Sequence, residues 1–195
     1  MSKHAAIVLA TANPHKVLEV RALLAGSDLE LIGLDAFPDL AEAPETGDTF
    51  EHNALQKARF VFEHTGLPCL ADDSGLEVDA LNGAPGVHSK RFSPEATHEA
   101  NNLLLLQRLD GLANRGARFR CVLAYVDAHR QATVEGSCEG QIATELRGTD
   151  GFGYDPLFLP NEAPGLAMAE LSMDQKNRIS HRGRAFAHLD ELLDR

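Results

Sequence analysis

Two adjacent carboxylates, Asp72 and Asp73, follow the short apolar segment Leu67-Pro68-Cys69-Leu70-Ala71 and precede Ser74-Gly75. A segment of that length bounded by Gly66 reads as a buried strand. The pair then falls at the strand's carboxyl end, where ligands of open α/β sheets collect. Aspartate oxygens are hard ligands that suit Mg²⁺, an ion that usually bridges to substrate phosphates. Asp, Ser and Gly are equally ordinary turn formers, and the residues alone leave both readings open. Neighbours in extended chain point to opposite faces, so Asp72 and Asp73 are expected to take different roles.

Three further constellations could carry chemistry. Thr11-Ala12-Asn13-Pro14-His15-Lys16 joins a strand to a helix start, where main-chain N–H groups and the helix dipole favour an anion. It lacks the glycines of a Walker A loop, and Asn13 can also be a plain N-cap. Near the C-terminus, His181, Arg182 and Arg184 crowd the first turn of a helix, with Lys176 close by in sequence. Cations oppose the dipole there, a local conflict that points to a bound phosphate, against the alternative of an exposed turn. Gly148-Thr149-Asp150-Gly151-Phe152-Gly153-Tyr154-Asp155-Pro156 sets three glycines among two aromatics. Such a loop can admit a flat base for Phe152 or Tyr154 to stack on, or it can be a tight turn pinned by core aromatics, the reading the residues favour.

The elements that must position these groups form an α/β pattern. Ala5 to Thr11 reads as a strand, Pro14 opens a helix with Val17, Leu18, Leu23 and Leu24 on one face, and Leu29 to Leu34 reads as a second strand. Asp48 with Glu51 suggests a capping box for a helix to His64, closed by Gly66. In that helix Phe50, Ala54, Ala58, Val61 and Phe62 form the apolar stripe, while Asn53 and Lys57, at i and i+4, share another face and can point together at a ligand. Gly75 to Leu81 reads as a second extended piece and 82–94 as a loop. A helix spans Thr97 to Leu109, and Phe119–Val126 with Ala132–Ile142 can form a hairpin. Ser172 with Gln175 caps a short helix carrying Lys176, and one last helix is expected after Ser180, running to the C-terminus with Ala185, Phe186, Leu189, Leu192 and Leu193 inward.

Composition narrows the function. The chain has 195 residues, 44% hydrophobic, and a formal net charge of -11, which suits one domain with a sizeable core and disfavours a nucleic acid polymer as partner. No run is long and apolar enough for a membrane span, and the start at Met1-Ser2-Lys3-His4 lacks a signal-peptide pattern, so a cytoplasmic protein is expected. Three cysteines without a CxxC pair argue against a disulfide framework and a zinc site; Cys69 and Cys121 are expected to pack as small hydrophobes.

Taken together, the segments resemble the inosine triphosphate pyrophosphatase family. Thr11 to Lys16 is similar to its T-x-N-x-x-K opening. Glu45-Thr46-Gly47-Asp48-Thr49-Phe50 with Asn53-Ala54 and Lys57-Ala58 matches E-x-G-x-T-F-x-x-N-A-x-x-K-A, and Ala71 to Leu76 matches A-D-D-S-G-L. Gly83-Ala84-Pro85-Gly86 with Ser89 and Arg91, Gly151 to Phe158, and Ser180 to Ala185 supply the remaining three, in family order. Lys90 and the short Asp110 to Arg118 connection are slight departures.

The resemblance implies a single α/β domain over 1–195: an elongated, long twisted mixed β-sheet flanked by helices, in two lobes with a nucleotide cleft between them, and usually a homodimer. It implies Mg²⁺-dependent cleavage of ITP, dITP or XTP to the monophosphate and pyrophosphate. Carried over, Asp73 is general base and metal ligand, joined by Glu45 and Asp72. Ser74 lies beside the metal, and Lys16, Lys57 and the Thr11-Ala12-Asn13-Pro14-His15 turn hold phosphates. Phe152 stacks on the base, Gly153, Tyr154 and Asp155 shape its pocket, and Lys176, His181 and Arg182 read the purine edge, which moves the basic turn's ligand from phosphate to base. The competing expectations are a related pyrophosphatase for another modified nucleotide and a non-catalytic nucleotide sensor.

Overall fold

A computed structural model describes residues 5–194; the reading of 1–4 lies outside them. The chain opens as a β-α-β unit of β1 (Ala5–Leu9), α1 (Pro14–Leu23) and β2 (Leu29–Gly33), followed by α2 (Phe50–Thr65) and β3 (Cys69–Val78). Then come α3 (His98–Arg108), β4 (Gly116–Val126), β5 (Gln131–Ile142) and β6 (Phe158–Pro160). Three short helices end the chain, α4 (Met173–Ile179), α5 (His181–Phe186) and α6 (Leu189–Leu193). The six strands form one mixed sheet in the order β2-β1-β3-β4-β5-β6, with β1 parallel to β2 and β3, and β5 antiparallel to β6. The expected α/β class and mixed sheet are thus observed.

Two compact units divide the chain. One gathers the described residues up to Asp73 with Val122–Glu135 and the segment from Ala185; the other holds Ser74–Cys121 and Gly136–Arg184. In the first, Val8, Val20, Ala54, Ala58 and Leu70 are almost wholly buried. The second closes on Leu76, Leu105, Phe119, Leu157, Phe158 and Met168.

Several local expectations change. Asp72 and Asp73 do not end a strand at a turn: β3 runs without a break through Ser74 and Gly75 to Val78, because the alternation of Leu76 and Val78 into the core continues the extended chain. Helix α2 is capped by Thr49, whose side chain accepts from His52 N–H, rather than by Asp48. On α1 the buried positions are Glu19 and Val20, while Leu18 stays exposed. The last helix is two pieces, α5 and α6, broken at Ala187-His188.

Candidate active site

The geometry around Asp73 follows from β3 and α2. Successive β3 residues face opposite ways, and the two carboxylates accordingly take different partners. Asp72 pairs with Lys16 of α1 at 2.9 Å. Asp73 turns to α2, where Lys57 Nζ donates to its Oδ1 at 3.0 Å and Asn53 Nδ2 donates to its Oδ2 at 3.2 Å. Asn53 and Lys57 lie one turn apart on α2, so the i, i+4 face read from sequence meets a single carboxylate. Lys57 also donates to Glu45 Oε1 at 2.8 Å, and Asn53 Oδ1 accepts from Gly47 N–H at 2.8 Å. One helical face thereby holds both Asp73 and the acidic loop that carries Glu45.

Electrostatics poise the group. Burial raises the pKa of Asp73 above the ordinary carboxylate value; Lys57 and Lys16 pull it back only in part, and Glu45 adds to the rise. For Lys57, burial works downward, but the charges of Asp73, Asp72 and Glu45 outweigh it, leaving the ammonium above its ordinary value. The lysine therefore stays charged while its aspartate neighbour becomes a stronger base than a solvated carboxylate.

Among the described residues no three of His, Cys, Asp and Glu converge as a ready metal cage. Two hard oxygen donors, Glu45 and Asp73, do meet at one ammonium, a pairing that suits Mg²⁺, which commonly takes one or two carboxylates and completes its shell with water and substrate phosphate. The donor chemistry therefore fits the ion.

The turn before α1 is a capped helix start. Asn13 Oδ1 accepts from the N–H groups of His15 and Lys16, and Asn13 N–H donates to Thr11 Oγ1. The cap reading of Asn13 is observed, and Lys16 projects from this turn to Asp72.

In the other unit, the glycine loop is organised by Asp155. Its Oδ2 accepts from Phe152 N–H at 2.8 Å and from Lys176 Nζ at 2.6 Å, a pair buried on both sides. A side chain at Gly151 would run into that carboxylate, which explains the glycine. Lys176 Nζ lies 4.9 Å and Arg182 Cζ 5.9 Å from the Phe152 ring centre, so the half-buried ring presents a face flanked by cations. Tyr154 is buried, its hydroxyl donating to Ser89 O at 2.9 Å, and burial raises its phenol pKa.

The three basic residues of α5 diverge instead of sharing one anion. His181 stacks on Phe119 with centroids 4.7 Å apart. Arg182, the largest fully buried side chain, donates to Ser74 Oγ at 3.0 Å. Arg184 turns away to Glu162 and to Ser137 O. Ser180 ends α4 and caps α5 by accepting from Gly183 N–H at 3.0 Å.

A family model described as the Ham1 family matches residues 7–192. This chain belongs to the Ham1 family. Among Ham1 relatives, a dITP/XTP pyrophosphatase of Porphyromonas gingivalis is 49% identical, with 96% of each chain aligned. Another from Nitratidesulfovibrio vulgaris is 52% identical, covering 96% of this chain and 95% of that protein. The HAM1 protein structure from Coxiella burnetii superposes with TM-score 0.87 at 41% identity, over 97% of this chain and 98% of that one. The family-level resemblance read from the motifs is thereby established. Two polar residues that carried no role in the sequence reading also hold main chain in place. Ser89 accepts from Leu76 N–H in β3 and donates to Gly86 O, and Asn101 holds Ser93 N–H and Lys90 O. For Asn101 the signal was a buried polar side chain on a helix, which spacing alone does not reveal.

Proposed function

We propose that this protein hydrolyses non-canonical purine nucleoside triphosphates, ITP, dITP and XTP, to the monophosphate and pyrophosphate. The observation that carries the reading is the buried Asp73 held between Lys57 and Asn53, in a chain that aligns almost end to end with relatives named dITP/XTP pyrophosphatase.

Asp73 takes the proton of a water that attacks the α phosphorus; the new P–O bond forms as the bond from the α phosphorus to the bridging oxygen breaks, and pyrophosphate leaves with the electron pair. Its raised pKa suits a general base. Lys57 and Lys16 offset the negative charge of the triphosphate, each exchanging part of its carboxylate contact for phosphate oxygens. Glu45 and Asp73, with Asp72 in support, would hold Mg²⁺, which supplies further charge neutralisation on the phosphates.

For the base, Phe152 is the stacking platform, and Lys176, His181 and Arg182 are the donors that favour a 6-oxo purine. Adenine presents an amino donor at that position and would meet donor with donor. Gly153, Tyr154 and Asp155 fix the loop that carries the platform. The same reading takes the protein to be a cytoplasmic homodimer. Among the described residues, no helix is long and apolar enough to cross a membrane.

A panel of nucleoside triphosphates with pyrophosphate detection, run with and without Mg²⁺, tests the assignment. Mg²⁺-dependent release from ITP, dITP and XTP well above that from ATP is expected. Preference for a modified pyrimidine, or binding without turnover, would replace it.

A further inference from the structure

The Phe152 loop is held on one side by Asp155 and Lys176 and on another by α3, an element that none of the motifs touches. His98 begins α3 and Asn102 follows one turn later, so the two share a face. Both reach Gly153. Asn102 Nδ2 donates to its carbonyl at 2.9 Å, and its N–H donates to His98 Nδ1 at 3.4 Å. The His98 ring also lies near Phe152, with centroids 6.3 Å apart and planes inclined by 39°. Gly153 itself has φ +62°, and the space where a side chain would project is open. Protein holds the main chain of Gly153 while leaving that side clear.

Stability does not explain Asn102. Its side chain is buried at 4% exposure, yet among the described residues its Oδ1 finds no hydrogen-bond donor. A leucine would fill similar space without a buried, unsatisfied acceptor. The preceding Asn101 shows the contrast, since its amide both accepts and donates to neighbouring main chain. Asn102 keeps a costly amide for one donation, the one to Gly153, a local conflict of the kind found where a site is being shaped.

We propose that His98 and Asn102 are positioning residues that clamp both main-chain polar groups of Gly153, fix the Phe152 ring through it, and so set how tightly and selectively a purine stacks there. The inference rests on Phe152 being the base platform. It places both residues in substrate affinity and base choice, outside the chemical step.

His98→Ala and Asn102→Leu, with His98→Asn as the conservative variant whose amide oxygen can accept where Nδ1 does, test the clamp by two readouts. Hydrogen–deuterium exchange of the substrate-free protein should quicken across 151–154 in the first two variants and return toward wild type in His98→Asn, with β4 unchanged in all. Steady-state kinetics on ITP and ATP should show KM for ITP raised about tenfold, the scale of one or two lost hydrogen bonds, with kcat nearly unchanged and preference for ITP over ATP reduced. Unaltered exchange and KM would overturn the proposal, as would a loss confined to kcat. His98 is exposed, so its variants decide the matter even if Asn102→Leu fails to fold. A wild-type protein inactive on ITP would instead remove the base-platform reading, while the exchange experiment still reports on the clamp.

Discussion

Lys57 is the residue on which the proposed catalytic cluster balances. Its ammonium touches Glu45 and Asp73 at once, and its charge is one of the forces holding down the pKa of an aspartate that burial pushes up. Replacing it by methionine keeps much of the bulk and deletes the charge. Two buried or half-buried carboxylates would then lose their shared cation, costing on the order of 3 kcal/mol of stability. The base must be ionised to accept a proton, and loss of the cation raises its pKa further. The acid limb of kcat/KM in Lys57→Met is therefore expected at higher pH than in wild type, alongside a fall in activity. A pH profile checks this, and an unshifted limb would move the base away from Asp73. At this scale the sequence was informative where local geometry alone decides: i, i+4 spacing put Asn53 beside Lys57, and strand alternation separated Asp72 from Asp73. That Asp72 would pair with Lys16 was not readable, because it depends on how α1 is placed against β3.

Elements were legible where a cap or breaker residue marks them and less so where only apolar repetition was available. Asn13-Pro14, Gly66 and the Ser172–Gln175 box all mark real helix ends. The apolar repeat after Ser180 suggested a single helix, but the chain breaks between α5 and α6 while Phe186, Leu189 and Leu192 still turn inward. Likewise Asp-Asp-Ser-Gly has the composition of a turn, yet long-range pairing and burial keep it extended within β3. Gly183 shows how closely these short helices meet. A Cβ there would run into the main-chain carbonyl of Asn177, so α4 and α5 can join at Ser180 only with a glycine at that point. Gly183→Ala is expected to lower stability by about 1–3 kcal/mol, as overpacking does. It should also weaken activity by displacing Arg182 and His181, which precede it on α5. Thermal unfolding together with ITP turnover measures both; an unchanged melting temperature would contradict the close approach.

Over the whole molecule, the family motifs run from the turn after β1 to α5, which is why fold class and family could be read so fully while the contacts among the motifs could not. The cysteines offer a test that spans both units. Cys69, Cys121 and Cys138 are all buried thiols, and burial pushes the pKa of Cys69 and Cys138 up to about 12. Reaction requires thiolate and access, so no cysteine should react with a thiol reagent in the native protein and all three should do so after denaturation. Rapid labelling of the native protein would show that one of these cores opens. The most direct test of the proposed chemistry is pyrophosphate release from ITP by Asp73→Asn, a substitution that keeps the side-chain shape and removes the base. The expected result is a fall in kcat of at least about a hundredfold with the melting temperature retained; turnover close to wild type would contradict Asp73 as the general base.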